Sequence, residues 1–211
     1  MALNALPSSS AHTPSDEICL RYASGVLDPA LRLLVDAHLA RCETTRARIA
    51  LFTQLGATLL DAEEPATLTA GSLDRAFARI AQKQPHETPE DVAAFAQPSF
   101  EALSWRWAGP GRRIAPISVP GAALKTFVMK IGPGLSMLAH GHDAAEWTVI
   151  LEGAYIDEGG RFETGAFIEE NEQTVHQPVA DTQAGCVCLI ATAGSVIAGG
   201  LTGRFARWAM R

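Results

Sequence analysis

No stretch of the 211 residues approaches the ~20 consecutive apolar positions that a bilayer-crossing helix needs. A membrane partner is therefore not expected. Basic residues are not in excess either. Residues 1–100 hold eight Lys/Arg against twelve Asp/Glu, and residues 101–211 hold nine against eleven. Neither half has the positive footprint of direct nucleic-acid binding, and a mildly acidic surface suits a basic protein partner instead. Residues 1–10 lack a charged segment followed by an apolar core, so no secretory leader is read and a cytoplasmic location is expected. Cysteines number only four: Cys19, Cys42, Cys186 and Cys188. In a reducing compartment they are metal ligands, redox-sensitive thiols or buried apolar groups, not a disulfide framework. Internal repeats and low-complexity tracts are absent.

What is present divides the chain in two. A hydrophobic content of 47% supports packed cores, and the length suits one sizeable domain or two small ones. The pattern over residues 15–83 is helical. Ser15 or Asp16 can cap a first helix with Ile18, Tyr22 and Val26 recurring every four residues. Asp28-Pro29 reads as an N-cap with Pro at the first helical position, opening a second helix with Leu31, Leu34, Val35, His38, Leu39 and Cys42 on one face. A third helix, from near Thr44 or Thr45, carries Ile49, Phe52, Leu55 and Leu59; a fourth, over 72–83, carries Leu73, Ala76, Phe77 and Ile80. Helices this short bury little surface, so a metal or a partner is expected to support them. Pro85, Pro89 and Pro98 mark an exposed linker over 84–98. From residue 99 the chain reads as strands and turns, with enough aromatic and aliphatic residues to fill a small barrel. The expected class is α+β, with helices over 1–83 and a β-barrel over 99–211.

The richest chemistry lies in the second half. His140 and His142 are two apart, as on one face of a strand, with Glu146 four residues on and His176 after it. Together they can hold one ion. Three imidazoles and a carboxylate suit Zn, Fe, Mn or Ni, so the metal stays open among these. The competing reading has each His filling a polar surface position on a strand.

Gly134, five residues, His140-x-His142, three residues, Glu146, six residues and Gly153 together resemble the first motif of the cupin superfamily. The second motif is matched more loosely. Gly160 and Gly165 are correctly separated, but Glu163 stands where Pro is usual, and ten residues rather than two precede His176. The resemblance implies a cupin β-barrel, or jelly roll, with His140, His142, Glu146 and His176 as metal ligands.

In the first half, His38 and Cys42 are four apart on a helix, about 6 Å along its axis, and project from one side. His12 could supply a third ligand from the preceding arm. The arrangement resembles the zinc-binding anti-sigma fold, whose pattern is His, then His-x-x-x-Cys-x-x-Cys. Thr45 replaces the last Cys, and Thr is a poor zinc ligand. Three readings stand: a site completed by water or Cys19, a degenerate site in which Thr45 only caps the third helix, and semi-buried core residues.

Helices of this kind followed by a cupin resemble the ChrR family of anti-sigma factors. The likeness includes His12-x-x-Ser15-Asp16, His38-x-x-x-Cys42, Trp105-Arg106, the four cupin ligands and Cys186-x-Cys188. It implies that the helices sequester a group IV (extracytoplasmic function) sigma factor and that the metal-binding cupin takes part in release, in some members on exposure to singlet oxygen or organic hydroperoxide. It implies zinc in the cupin and a second zinc in the helical half. Ile18, Tyr22, Leu34, Phe52, Leu59, Phe77 and Ile80 are candidates for the sigma-binding face. Cys186 and Cys188, two apart on a strand, are candidate redox residues, with buried core thiols as the plainer reading. The competing function is a metal-dependent cupin enzyme, a dioxygenase or isomerase with a helical accessory domain. Glu169, Glu170 and Glu172 would then face a substrate. The oligomeric state is left open.

Overall fold

Ser15 starts the helical part: its hydroxyl accepts the Ile18 N–H at 3.5 Å and caps α1 (Asp16–Ala23). The computed structural model describes residues 12–82, 102–137, 140–142, 144–171, 175–194 and 196–198. For 82, 140–142, 175 and 196–198 it describes the backbone. Asp28 caps α2 (Pro29–Leu39) by accepting the Ala30 N–H at 2.8 Å. Pro29 sits where its missing N–H costs nothing. The second Asp28 oxygen accepts the Ala123 N–H at 2.8 Å, so the cap also ties α2 to the loop ahead of a strand. α3 (Glu43–Asp61) and α4 (Ser72–Gln82) follow.

Among the described residues, eleven strands follow: β1 (Arg106–Trp107), β2 (Arg112–Ile117), β3 (Lys125–Ile131), β4 (His140–His142), β5 (Glu146–Asp157), β6 (Gly160–Glu163), β7 (Phe167–Glu170), β8 (Val175–His176), β9 (Val179–Ala180), β10 (Cys186–Thr192) and β11 (Val196–Ala198). An eight-stranded sheet runs β1-β2-β3-β10-β5-β6, with β7 and β9 also paired to β5; a three-stranded sheet runs β11-β4-β8. The named pairs are antiparallel, and the architecture is cupin-like. β5 is long enough to serve several partners because it bends. One extra residue is accommodated opposite Val187 and Cys188, and Gly153 follows at φ 71°. A Cβ on Gly153 would sit 2.1 Å from the Gly185 carbonyl oxygen, so only glycine fits this crossing.

β10 explains how the two halves join. All seven of its residues are buried, and they alternate between two cores. Cys186, Cys188 and Ile190 face the barrel interior with Ile114, Phe127, Ile150, Tyr155 and Ile168. Val187, Leu189 and Ala191 face outward, against Ile18, Leu34, Val35 and Ile49 of the helices. An antiparallel strand is apolar on both faces only when something covers the second one, and here α2 does, with α1 and α3 packed into the same core. The helices thus obtain their support from the sheet, where short-helix arithmetic pointed to a metal or a partner. The second half of α3 and all of α4 leave that core behind: Leu51, Leu55, Leu59, Leu60, Leu73, Phe77 and Ile80 are exposed. Residues 84–98, read as the linker, lie outside the described residues.

Candidate metal centre and interaction face

The centre is built by strand register. β4 and β8 place His140 opposite His176, β11 places Val196 opposite His142, and β5 and β7 place Glu146 opposite Glu170. Glu146 shares the interior face with Thr148 and Ile150, because side chains two apart on a strand align. His176 Nδ1 lies 3.4 Å from Asp157 Oδ2 and 3.7 Å from Glu170 Oε1. Among the described residues, Asp157, Glu170 and His176 form the group whose ligand atoms converge, all within 4.8 Å.

Burial and the neighbouring Glu170 push the Glu146 carboxyl up to about 8. Carboxylates that face one another away from water repel, and a divalent cation is the partner that relieves them. Imidazole nitrogen and carboxylate oxygen are acceptable donors to zinc, iron, manganese and nickel, so the residues present fit a metal. The side chains of His140 and His142 lie outside the described residues, as does Glu172. Asp157 was invisible to motif reading. It closes β5 eleven residues after Glu146, and only the bend in that strand returns it to His176.

Cys186 and Cys188 line the same interior, both buried. The adjacent Cys186 thiol, burial and the charge of Glu146 push the Cys188 thiol up, which keeps it protonated and poorly nucleophilic. Burial and nearby Asp157 raise the Tyr155 phenol as well.

The helical ligand candidates are arranged differently. His38 is 1% exposed and both of its ring nitrogens are engaged: Nδ1 lies 2.6 Å from the Gly165 carbonyl oxygen and Nε2 lies 2.8 Å from Thr45 Oγ1. Cys42 Sγ lies 3.2 Å from the same Thr45 oxygen. Thr45 does not cap α3, whose N-cap is Cys42; it lies inside the helix at 0% exposure. His12 goes elsewhere, its ring 4.4 Å from that of Phe162 and its carbonyl accepting the Phe167 N–H at 3.0 Å. Cys19 Sγ points to the Pro14 carbonyl at 3.8 Å. His38 and Cys42 are two donors where a structural zinc takes four, so this set does not fit the ion.

The interaction candidates also separate. Ile18 and Leu34 are in the core, because α2 turns its face onto the sheet and α1 packs on α3 in that same core, and so they offer nothing to a partner. Tyr22 is half-buried, donating its O–H to Asp36 at 2.5 Å, and Phe52 packs against the core. Leu59, Phe77 and Ile80 remain available at 61, 60 and 68% exposure. Sequence reading left out Leu51 and Leu60, which periodicity alone assigns to no face.

Comparison with known proteins places this geometry. The ChrR cupin-like domain family matches residues 96–195. The anti-sigma-E factor ChrR of Cereibacter sphaeroides is 32% identical over 190 residues, covering 86% of this chain and 89% of its own. A solved structure of Rhodobacter sphaeroides SigE in complex with the anti-sigma ChrR superposes with a TM-score of 0.72 at 32% identity, over 86% of this chain and 98% of that one. No described helix is long and apolar enough to cross a membrane.

Proposed function

The chain belongs to the ChrR family of anti-sigma factors, and from that premise we propose that it sequesters a group IV sigma factor and so acts as a cytoplasmic regulator rather than an enzyme. The observation that carries the binding reading is the uncovered face of α4. Leu73, Phe77 and Ile80 recur at helical spacing on one side and are 65, 60 and 68% exposed. Leu51, Leu55 and Leu59 extend the same kind of surface along α3. An amphipathic helix of this kind docks by laying its apolar face into a partner's groove. The ChrR relative solved in complex with SigE supports the choice of a sigma factor as the occupant.

On this reading 1–83 is the sigma-binding domain, 84–98 the linker and 99–211 the cupin sensor. His140, His142, Glu146 and His176 would hold the cupin ion, zinc being the first choice and iron, manganese or nickel compatible with the same donors. Release follows when a signal such as singlet oxygen or an organic hydroperoxide favours the free conformation over the sigma-bound one. Co-expression of the full chain with a group IV sigma factor from the same genome tests the proposal. Co-purification in equal amounts is expected; failure with every such sigma factor would contradict it and bring the cupin enzyme forward.

A further inference from the structure

We infer that the α2–α3 junction of this chain is held without a metal, by a directional chain of hydrogen bonds from Cys42 through Thr45 and His38 to the Gly165 carbonyl. Zinc-binding anti-sigma folds place an ion at this junction, and the residues here do not support one. Thr45 occupies a thiolate position, His12 stacks on Phe162, and the imidazole is already engaged at both nitrogens.

The direction of the chain follows from elementary rules. A carbonyl oxygen only accepts, so His38 Nδ1 carries the hydrogen at 2.6 Å from Gly165. Burial lowers the His38 pKa and favours the neutral ring, which leaves Nε2 as an acceptor. The Thr45 hydroxyl must then donate to Nε2 at 2.8 Å, and its oxygen is free to receive the Cys42 S–H at 3.2 Å. Every polar atom of the junction finds a partner of the right sense. A metal at Nε2 would have to displace Thr45 from a fully buried position inside α3.

Gly165 completes the device. It has φ 94°, and a Cβ there would stand 3.2 Å from Arg41 Cβ. Glycine is what lets the end of α2 come within hydrogen-bonding distance of that turn. The junction therefore binds α2, α3 and the turn between β6 and β7, across 127 residues of sequence, without an ion.

The test uses the full-length chain. Alkylation of Cys42, followed by peptide mass spectrometry, is measured after zinc saturation and after exhaustive chelation. The same Cys42 labelling rate in both states is expected. Labelling blocked by zinc and restored by the chelator would overturn the inference. Thermal unfolding of Thr45→Ser and Thr45→Val provides the second readout. Serine keeps the donor and should melt near the parent, whereas valine removes it and should melt lower by about 2–8 °C for a chain of this size. Equal melting temperatures for the two variants would overturn the hydrogen-bonded chain.

Discussion

Glu169 and Glu170 are neighbours on β7 and face opposite ways: the Glu169 carboxylate accepts the Ser15 N–H at 2.7 Å on the helix side, and Glu170 Oε1 lies 3.7 Å from His176 Nδ1 in the interior. The same short segment receives two more ties from the helical part, the His12 carbonyl at Phe167 and the His38 ring at Gly165. β7 and the turn ahead of it thus touch both the candidate centre and the helices.

Glu169→Ala should detach one tie without touching the centre. Loss of a charge-assisted bond to a helix cap predicts destabilisation by about 1 kcal/mol, with metal content unchanged. Denaturant unfolding and metal analysis of the same preparation check it. Glu170→Gln should do the reverse, altering metal affinity more than helix docking.

Acid should loosen the helices through His38. Its pKa is lowered in the folded state, first by burial and then, against the Gly165 hydrogen bond, by the nearby Arg48 charge. The unfolded chain takes up a proton near the ordinary histidine value of about 6.5, while the folded chain resists. The His38 contribution is therefore complete above that value and lost progressively below it. Unfolding free energy measured from pH 8 to 5 should fall more steeply for the parent than for His38→Gln.

Leu34 and Leu59 should behave oppositely, although both are leucines on amphipathic helices. Leu34→Ala empties a site in the shared core and should cost about 2–5 kcal/mol of stability. Leu59→Ala lies on the exposed face and should change stability by less than about 0.5 kcal/mol while weakening sigma binding. Chemical denaturation and a binding isotherm distinguish the two.

Thiol reagents should find the cysteines in order of burial. Cys42 is half-buried, whereas Cys19, Cys186 and Cys188 are buried. Burial also raises the Cys19 thiol. Labelling of the native chain should mark Cys42 first and the others only on unfolding. If Cys186 and Cys188 serve in sensing, Cys186→Ser with Cys188→Ser should bind the sigma factor normally and release it more slowly under oxidant; unchanged release kinetics would remove them from the mechanism.

Local signals were legible in the sequence. The Ser15 and Asp28 caps, the four helices and the placing of Cys186 and Cys188 on one face of a strand all come from short-range pattern. An apolar stripe says that a face is buried, not against what. Leu34 therefore read as a sigma-binding candidate and proved to cover the sheet. Asp157 carries no motif of its own and reaches His176 by a bend in β5; Gly165 belongs to the second cupin motif, but that spacing says nothing of His38, 127 residues away. Thr45 read as a lost ligand or a cap, because a hydrogen-bond partner that distant leaves no trace in spacing.

Hydrogen–deuterium exchange of the full chain, alone and saturated with its group IV sigma factor, tests the central claim most directly. Slowed exchange over 51–61 and 72–82, with α2 little changed, is the result expected if the uncovered faces of α3 and α4 hold the sigma factor. Protection confined to the sheet, with α4 exchanging as in the free chain, would contradict it.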